Sequence, residues 1–174
     1  MRMIVDGYNF IGRDKGLRGD LEKKRRELIE RLSAYRRVKG FPVTVVFDGG
    51  DWGEAREMSG GVEVIFSGKG TSADEVIGRM AEELREGCTV ATSDREVQRR
   101  VQSCGGIAIY SGEFEKRLAA ALHPSAPSAP PAEDALPEKD RDEPEPSSRG
   151  PEKKGNPRKL SKAERQRQGR LKRL

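Results

Sequence analysis

The hydrophobic positions of this chain fall into two rhythms. Short, almost unbroken apolar runs occupy residues 3–5, 43–47, 62–66, 88–91 and 107–110, with Glu63 the one polar interruption of the third. Continuous Val and Ile without polar alternation predict strands buried on both faces. Between these runs the apolar residues recur at helical spacing. Residues 20–39 carry Leu21, Leu28, Leu32 and Tyr35, with Asp20 placed to cap the start, Gly40 to end the helix and Pro42 to prevent its continuation. Residues 72–86 carry Val76, Ile77, Met80, Ala81 and Leu84, and residues 95–103 carry Val97 and Val101 ahead of Gly105-Gly106. A last helix is predicted over 113–122. Residues 49–61 are polar and glycine-bearing, contain Trp52, and read as a loop. Strands alternating with helices predict a mainly parallel central sheet covered on both faces, a three-layer α/β/α domain.

After Leu122 the rhythm stops. Residues 123–152 are rich in Pro, Ser, Ala and acids and show no period, the composition of a disordered linker that cannot bury enough apolar area to offset its ordering entropy. Residues 153–174 form a basic C-terminal tail, PRKLSKAERQRQGRLKRL at its end, which could become helical on a partner, although Gly169 weakens that tendency. The charge follows the same division. Residues 1–122 carry 21 Lys+Arg against 20 Asp+Glu, residues 123–152 carry 3 against 8, and residues 153–174 carry 10 against 1. The formal net charge of +5 therefore belongs to the last 22 residues and not to the domain. Clustered Lys and Arg favour polyanions such as mRNA or rRNA. No apolar run approaches the ~20 residues of a membrane helix, and the apolar start is too short for a signal peptide. Cys88 and Cys104 form no CxxC pair and fit no zinc spacing, so two free thiols in a reducing cytoplasm are expected. Oligomeric state has no signature in the sequence.

The candidate chemistry lies in four aspartates. Asp6 in MIVDGYN, Asp48 in VTVVFDGG, Asp74 in GTSADEVI and Asp94 in TVATSDRE each stand where a strand stops or a helix starts. In an α/β sheet such positions meet at the carboxyl ends of the strands, where ligands bind. Each also has a local explanation. Thr71-x-x-Asp74, Ser72-x-x-Glu75 and Ser93-x-x-Glu96 match the capping box, and Asp-Gly at 6–7 and 48–49 fits turns. Four carboxylates gathered at one edge cannot all stay charged without a partner. Oxygen ligands of this kind suit a hard divalent cation, Mg²⁺ or Mn²⁺. Glu75, beside Asp74, could share that ion or serve the cap.

DGYN, VVFDGG, FSGKGTSADEVI and VATSDREVQ, taken together and in order, resemble the NYN domains of the PIN-like nuclease superfamily, most of all the YacP-like group. The likeness runs from Met1 to about Leu122. It implies a PIN-like fold, a metal-dependent acidic site made of Asp6, Asp48, Asp74 and Asp94, and endoribonuclease activity. It also implies a possible association with the ribosome and mRNA as substrate. Asn9 falls on the Asn of the opening motif, where it would orient a carboxylate or touch a phosphate.

Around those motifs, Tyr8 and Trp52 are candidates to stack on unpaired bases, and Lys69, Ser93, Arg95, Arg99 and Arg100 to meet phosphates. The first long helix also has a basic face, balanced by Glu22, Glu27 and Glu30. Residues 67–72, SGKGTS, look briefly like a phosphate loop, but the Lys is not followed by Ser or Thr and Glu63 stands where a Gly is needed. The competing reading is an adaptor that binds RNA or the ribosome on the same fold without cutting.

Overall fold

The computed structural model describes residues 1–15, 19–49, 53–123 and 162–174. The chain divides into two units, Met1–Ala126 with Leu174, and Pro127–Arg173. The first is built on one six-stranded sheet of β1 (Arg2–Asp6), β2 (Val43–Phe47), β3 (Ala55–Ser59), β4 (Val62–Phe66), β5 (Cys88–Ala91) and β6 (Ile107–Ile109). Their order is β3-β4-β2-β1-β5-β6. All neighbours are parallel except β3, which pairs antiparallel with β4.

Two layers of helix cover the sheet. One face carries α3 (Ala73–Leu84) and α4 (Arg95–Ser103), whose Val76, Ile77, Met80, Val97 and Val101 pack on Ile4, Val46, Ile65, Val90 and Ala108. The other carries α1 (Gly7–Lys15), α2 (Leu21–Lys39) and α5 (Ser111–Leu122). There Phe10 and Tyr35 meet Phe114 edge-on, with ring centroids 5.8 and 5.4 Å apart. The three-layer α/β/α arrangement expected from the alternation of elements is the one observed. Asp20 caps α2 by accepting from the Lys23 N–H at 3.0 Å, and Gly40 ends it at φ +74°, a conformation that costs glycine little.

Three segments differ from the sequence-based expectation. Residues 7–15, to which the apolar spacing assigns no element, form α1, which Phe10 and Ile11 pin to the core. Residues 49–61, expected as a loop, contain β3. Its side chains are mostly exposed on both faces, so no alternation marks it. The last strand ends at Ile109, and α5 begins at Ser111 rather than 113.

In the second unit the described segment is α6 (Lys162–Leu171), which runs through Gly169. Trp52 and the linker over 124–152 lie outside the described residues. The cysteines are free, as expected. Among the described residues no helix is long and apolar enough to cross a membrane.

Candidate active site at the carboxyl edge

The sheet order creates the crevice. From β1 the chain winds outward through β2 to β4, then returns through α3 to the other side of β1, at β5. The loops after β1 and β5 therefore leave in opposite directions, which opens the sheet edge between them to a ligand. Asp6 ends β1 at this point and Asp94 starts α4 just beyond β5. Asp48 follows β2, and Asp74 lies in the first turn of α3.

Each carboxylate is held differently. Asp6 is 6 % exposed; its Oδ2 accepts from the Thr92 hydroxyl at 3.0 Å and its Oδ1 from the Asn9 N–H at 3.3 Å. Burial, helped by the charges of Asp74 and Asp94, pushes its pKa up to about 6 against those two hydrogen bonds. Asp48 accepts on Oδ1 from the Ser67 hydroxyl at 3.0 Å and the Ala73 N–H at 3.3 Å. Asp94 caps α4, its Oδ1 accepting from Glu96 and Val97 N–H at 2.7 and 3.2 Å. Its Oδ2 has no partner among the described residues.

Asp74 has no such local role. The capping box of α3 is Ser72 with Glu75: the Glu75 N–H donates to the Ser72 hydroxyl at 3.2 Å, and the Ser72 N–H donates to Glu75 Oε2 at 3.3 Å. The alternative box at Thr71 and Asp74 is not formed, and the ambiguous Glu75 is committed to the cap. Asp74 makes no hydrogen bond among the described residues. Partial loss of hydration, then the charges of Asp94, Asp48 and Glu96, hold its carboxyl above the usual range. The four aspartates thus share one field, although among the described residues no three acids are closed to metal-ligand geometry.

Asn9 acts as a tie. Its Oδ1 accepts from the Ser93 N–H and from the Ser111 hydroxyl, both at 2.9 Å, fastening the end of β1 to the loop after β5 and the start of α5. Tyr8 lies half-buried against Phe47, centroids 5.2 Å apart. Lys69, Arg95 and Arg99 are exposed. Arg100 is also exposed and is paired with Glu82 of α3 through bonds of 3.1 and 2.8 Å.

Three residues escaped the sequence reading: Ser67, Thr92 and Ser111, each at most 1 % exposed. All three place a buried hydroxyl just past the end of a strand (β4, β5 and β6), and each binds Asp48, Asp6 or Asn9. A small hydroxyl residue following each apolar run was the available signal.

This topology with an acidic carboxyl edge defines a PIN-like α/β domain with an RNase-like fold. Residues 3–167 match the YacP-like NYN domain, and the chain belongs to that family. It is similar to the uncharacterized protein YacP of Bacillus subtilis (strain 168), 37 % identical over 101 residues, which span 53 % of this chain and 59 % of that relative. It also resembles two crystal structures of Rae1 (YacP) from Bacillus subtilis, one of them a point mutant. The mutant superposes with a TM-score of 0.61 over 71 % of this chain and 77 % of that one, the other with 0.60 over 71 % and 76 %, each at 30 % identity.

Proposed function

We propose that this chain is a metal-dependent endoribonuclease that hydrolyses RNA phosphodiester bonds, with mRNA, on the ribosome, as the physiological target. One observation carries the reading: four aspartates from separate stretches of chain meet at a single sheet edge, where burial and the charges of Asp74 and Asp94 push the pKa of Asp6 up to about 6, and partial burial and the charges of Asp94 and Asp48 raise that of Asp74. A bound cation relieves such repulsion, and groups perturbed in this way concentrate at functional sites.

The donor set is all carboxylate oxygen, which suits Mg²⁺ or Mn²⁺. Asp6, Asp48, Asp74 and Asp94 would hold the ion. When bound it supplies Lewis-acid chemistry, acidifying water and offsetting charge on the scissile phosphate and the leaving oxygen. The chain's own part is positioning. Thr92 and Ser67 aim Asp6 and Asp48, leaving the Oδ2 of Asp48 and of Asp94 without partners among the described residues. Arg95, Arg99 and Lys69, all exposed, would meet flanking phosphates, with Ser93 and the amide of Asn9 nearer the acids. In-line attack by water leaves a 5′-phosphate and a 3′-hydroxyl. No histidine is required, and the chain's one, His123, lies at the end of α5.

The test is end-mapping of single-stranded RNA incubated with the full chain and Mn²⁺, with chelator, Asp6→Asn and Asp94→Asn as controls. Metal-dependent internal cuts that vanish in both variants are expected. Undiminished cutting by folded variants would exclude this site, and RNA binding without cutting by the wild type would favour the adaptor.

A further inference from the structure

Tyr110 breaks a local rule. It occupies the N-cap of α5, where the side-chain oxygen of Ser, Thr, Asp or Asn would normally accept from the free N–H groups, and its side chain makes no capping bond. It is also 52 % exposed, one of few large hydrophobic side chains left open. Neither capping nor core packing explains an aromatic ring here, and departures of this kind concentrate at functional positions. Its neighbour in sequence, Ser111, binds Asn9, so the ring stands at the rim of the acidic crevice.

A second feature lies at the opposite end of the same edge. Phe66 ends β4 and stacks on Phe47, centroids 5.8 Å apart and planes at 25°. Over the Phe66 ring, 5.6 Å from its centroid, lies the Arg25 guanidinium from the first turns of α2. Among the described residues Arg25 forms no hydrogen bond and no ion pair. The ring fixes the plane of the guanidinium while leaving its N–H fork unspent, a preorganised receptor for a phosphate. The residue after Phe66, Ser67, is the one that holds Asp48.

We propose that a single-stranded RNA crosses the carboxyl edge from β6 to β4, one unpaired base stacked on Tyr110 and one phosphate held by Arg25, with the four aspartates between them. From β6 to β4 the strand order runs β6-β5-β1-β2-β4, which at ~4.8 Å per neighbour is about 19 Å. This inference rests on the nuclease reading and adds two anchors to it, one for a base and one for a phosphate. A duplex keeps its bases stacked on one another and offers none to Tyr110.

Binding and cutting are measured separately, so the two readings fail separately. In chelator, the full chain is titrated into a labelled single-stranded RNA, and into the same RNA annealed to its complement, at several salt concentrations. Tyr110→Ala is expected to weaken single-strand binding about tenfold with an unchanged salt slope, and Tyr110→Phe to restore it. Arg25→Gln is expected to reduce the slope of log K against log salt by about 0.7, one phosphate on a single strand. Both variants are expected to raise KM more than they lower kcat in Mn²⁺. The proposal is overturned if both bind the single strand as the wild type does, or if Tyr110→Ala loses as much on the duplex. Wild-type binding without cutting, with both variants weakened, upholds the path and sinks the nuclease reading.

Discussion

The Thr92 hydroxyl donates to Asp6 Oδ2 at 3.0 Å across 86 positions of sequence, while the same oxygen accepts from the Asp94 N–H at 3.1 Å. One buried hydroxyl thus sets the orientation of two candidate metal ligands at once. It also lowers the proton affinity of Asp6, which burial raises. Thr92→Val keeps the shape and deletes the hydroxyl, leaving a buried carboxylate and an N–H short of a partner. The expected cost is about 1–3 kcal/mol in urea unfolding. A weaker apparent Mn²⁺ affinity should accompany it, with Thr92→Ser restoring both.

Asp6 itself makes stability depend on pH. The native carboxyl keeps its proton up to about 6, whereas its ordinary value is 3.8. Below both values this group is neutral in its effect; as pH rises through that interval the unfolded chain ionises first, and the fold loses stability. Above 6 the loss is complete, on the order of 3 kcal/mol. Asp6→Asn in chelator should therefore stabilise the chain near pH 7 and converge on wild type near pH 4, measured by thermal unfolding. At limiting Mn²⁺ the wild-type cutting rate should fall as pH drops through about 6, because a protonated Asp6 cannot bind a cation.

Asp74 and Glu75 are neighbours with opposite assignments. Glu75→Ala removes one arm of the capping box and should cost below ~1 kcal/mol, with cutting retained. Asp74→Asn should abolish cutting and leave stability unchanged or raised, since its charge is opposed by Asp94 and Asp48. Parallel unfolding and cleavage assays separate the two.

Two glycines in contact with large side chains should answer differently to Ala. A Cβ on Gly7 would sit 2.3 Å from the Phe47 ring, itself wholly buried, so Gly7→Ala should cost upwards of ~1–3 kcal/mol. Phe47→Leu in the same chain should recover part of it. A Cβ on Gly78 would meet only the guanidinium of Arg100, which can swing away. The half-exposed Arg100–Glu82 pair is worth below ~1 kcal/mol. Helix propensity returns about as much, so Gly78→Ala should be near neutral in the same unfolding assay.

The tail should act in binding and not in chemistry. Deleting residues 153–174 removes 10 basic side chains. It should weaken association with long RNA or ribosomes and flatten its salt dependence, while cutting of a short oligonucleotide survives.

How much of this was legible beforehand divides along one line. The sequence by itself determined much that is local: Val43–Phe47 as a doubly buried strand, α2 between Asp20 and Gly40, and acids at four points where a strand stops or a helix starts. Apolar periodicity and capping chemistry act within a few residues, so they can be read directly. What it did not carry was the partner of each element. Apolar runs record that a strand is buried, not which strand lies beside it, and only the order β2-β1-β5 brings Asp6 against Thr92. The edge strand β3 and the short α1 left little trace, because neither buries a full face. The burial that lifts the Asp6 pKa, and the competition that gave the α3 cap to Glu75 and left Asp74 free, exist only once the layers have packed.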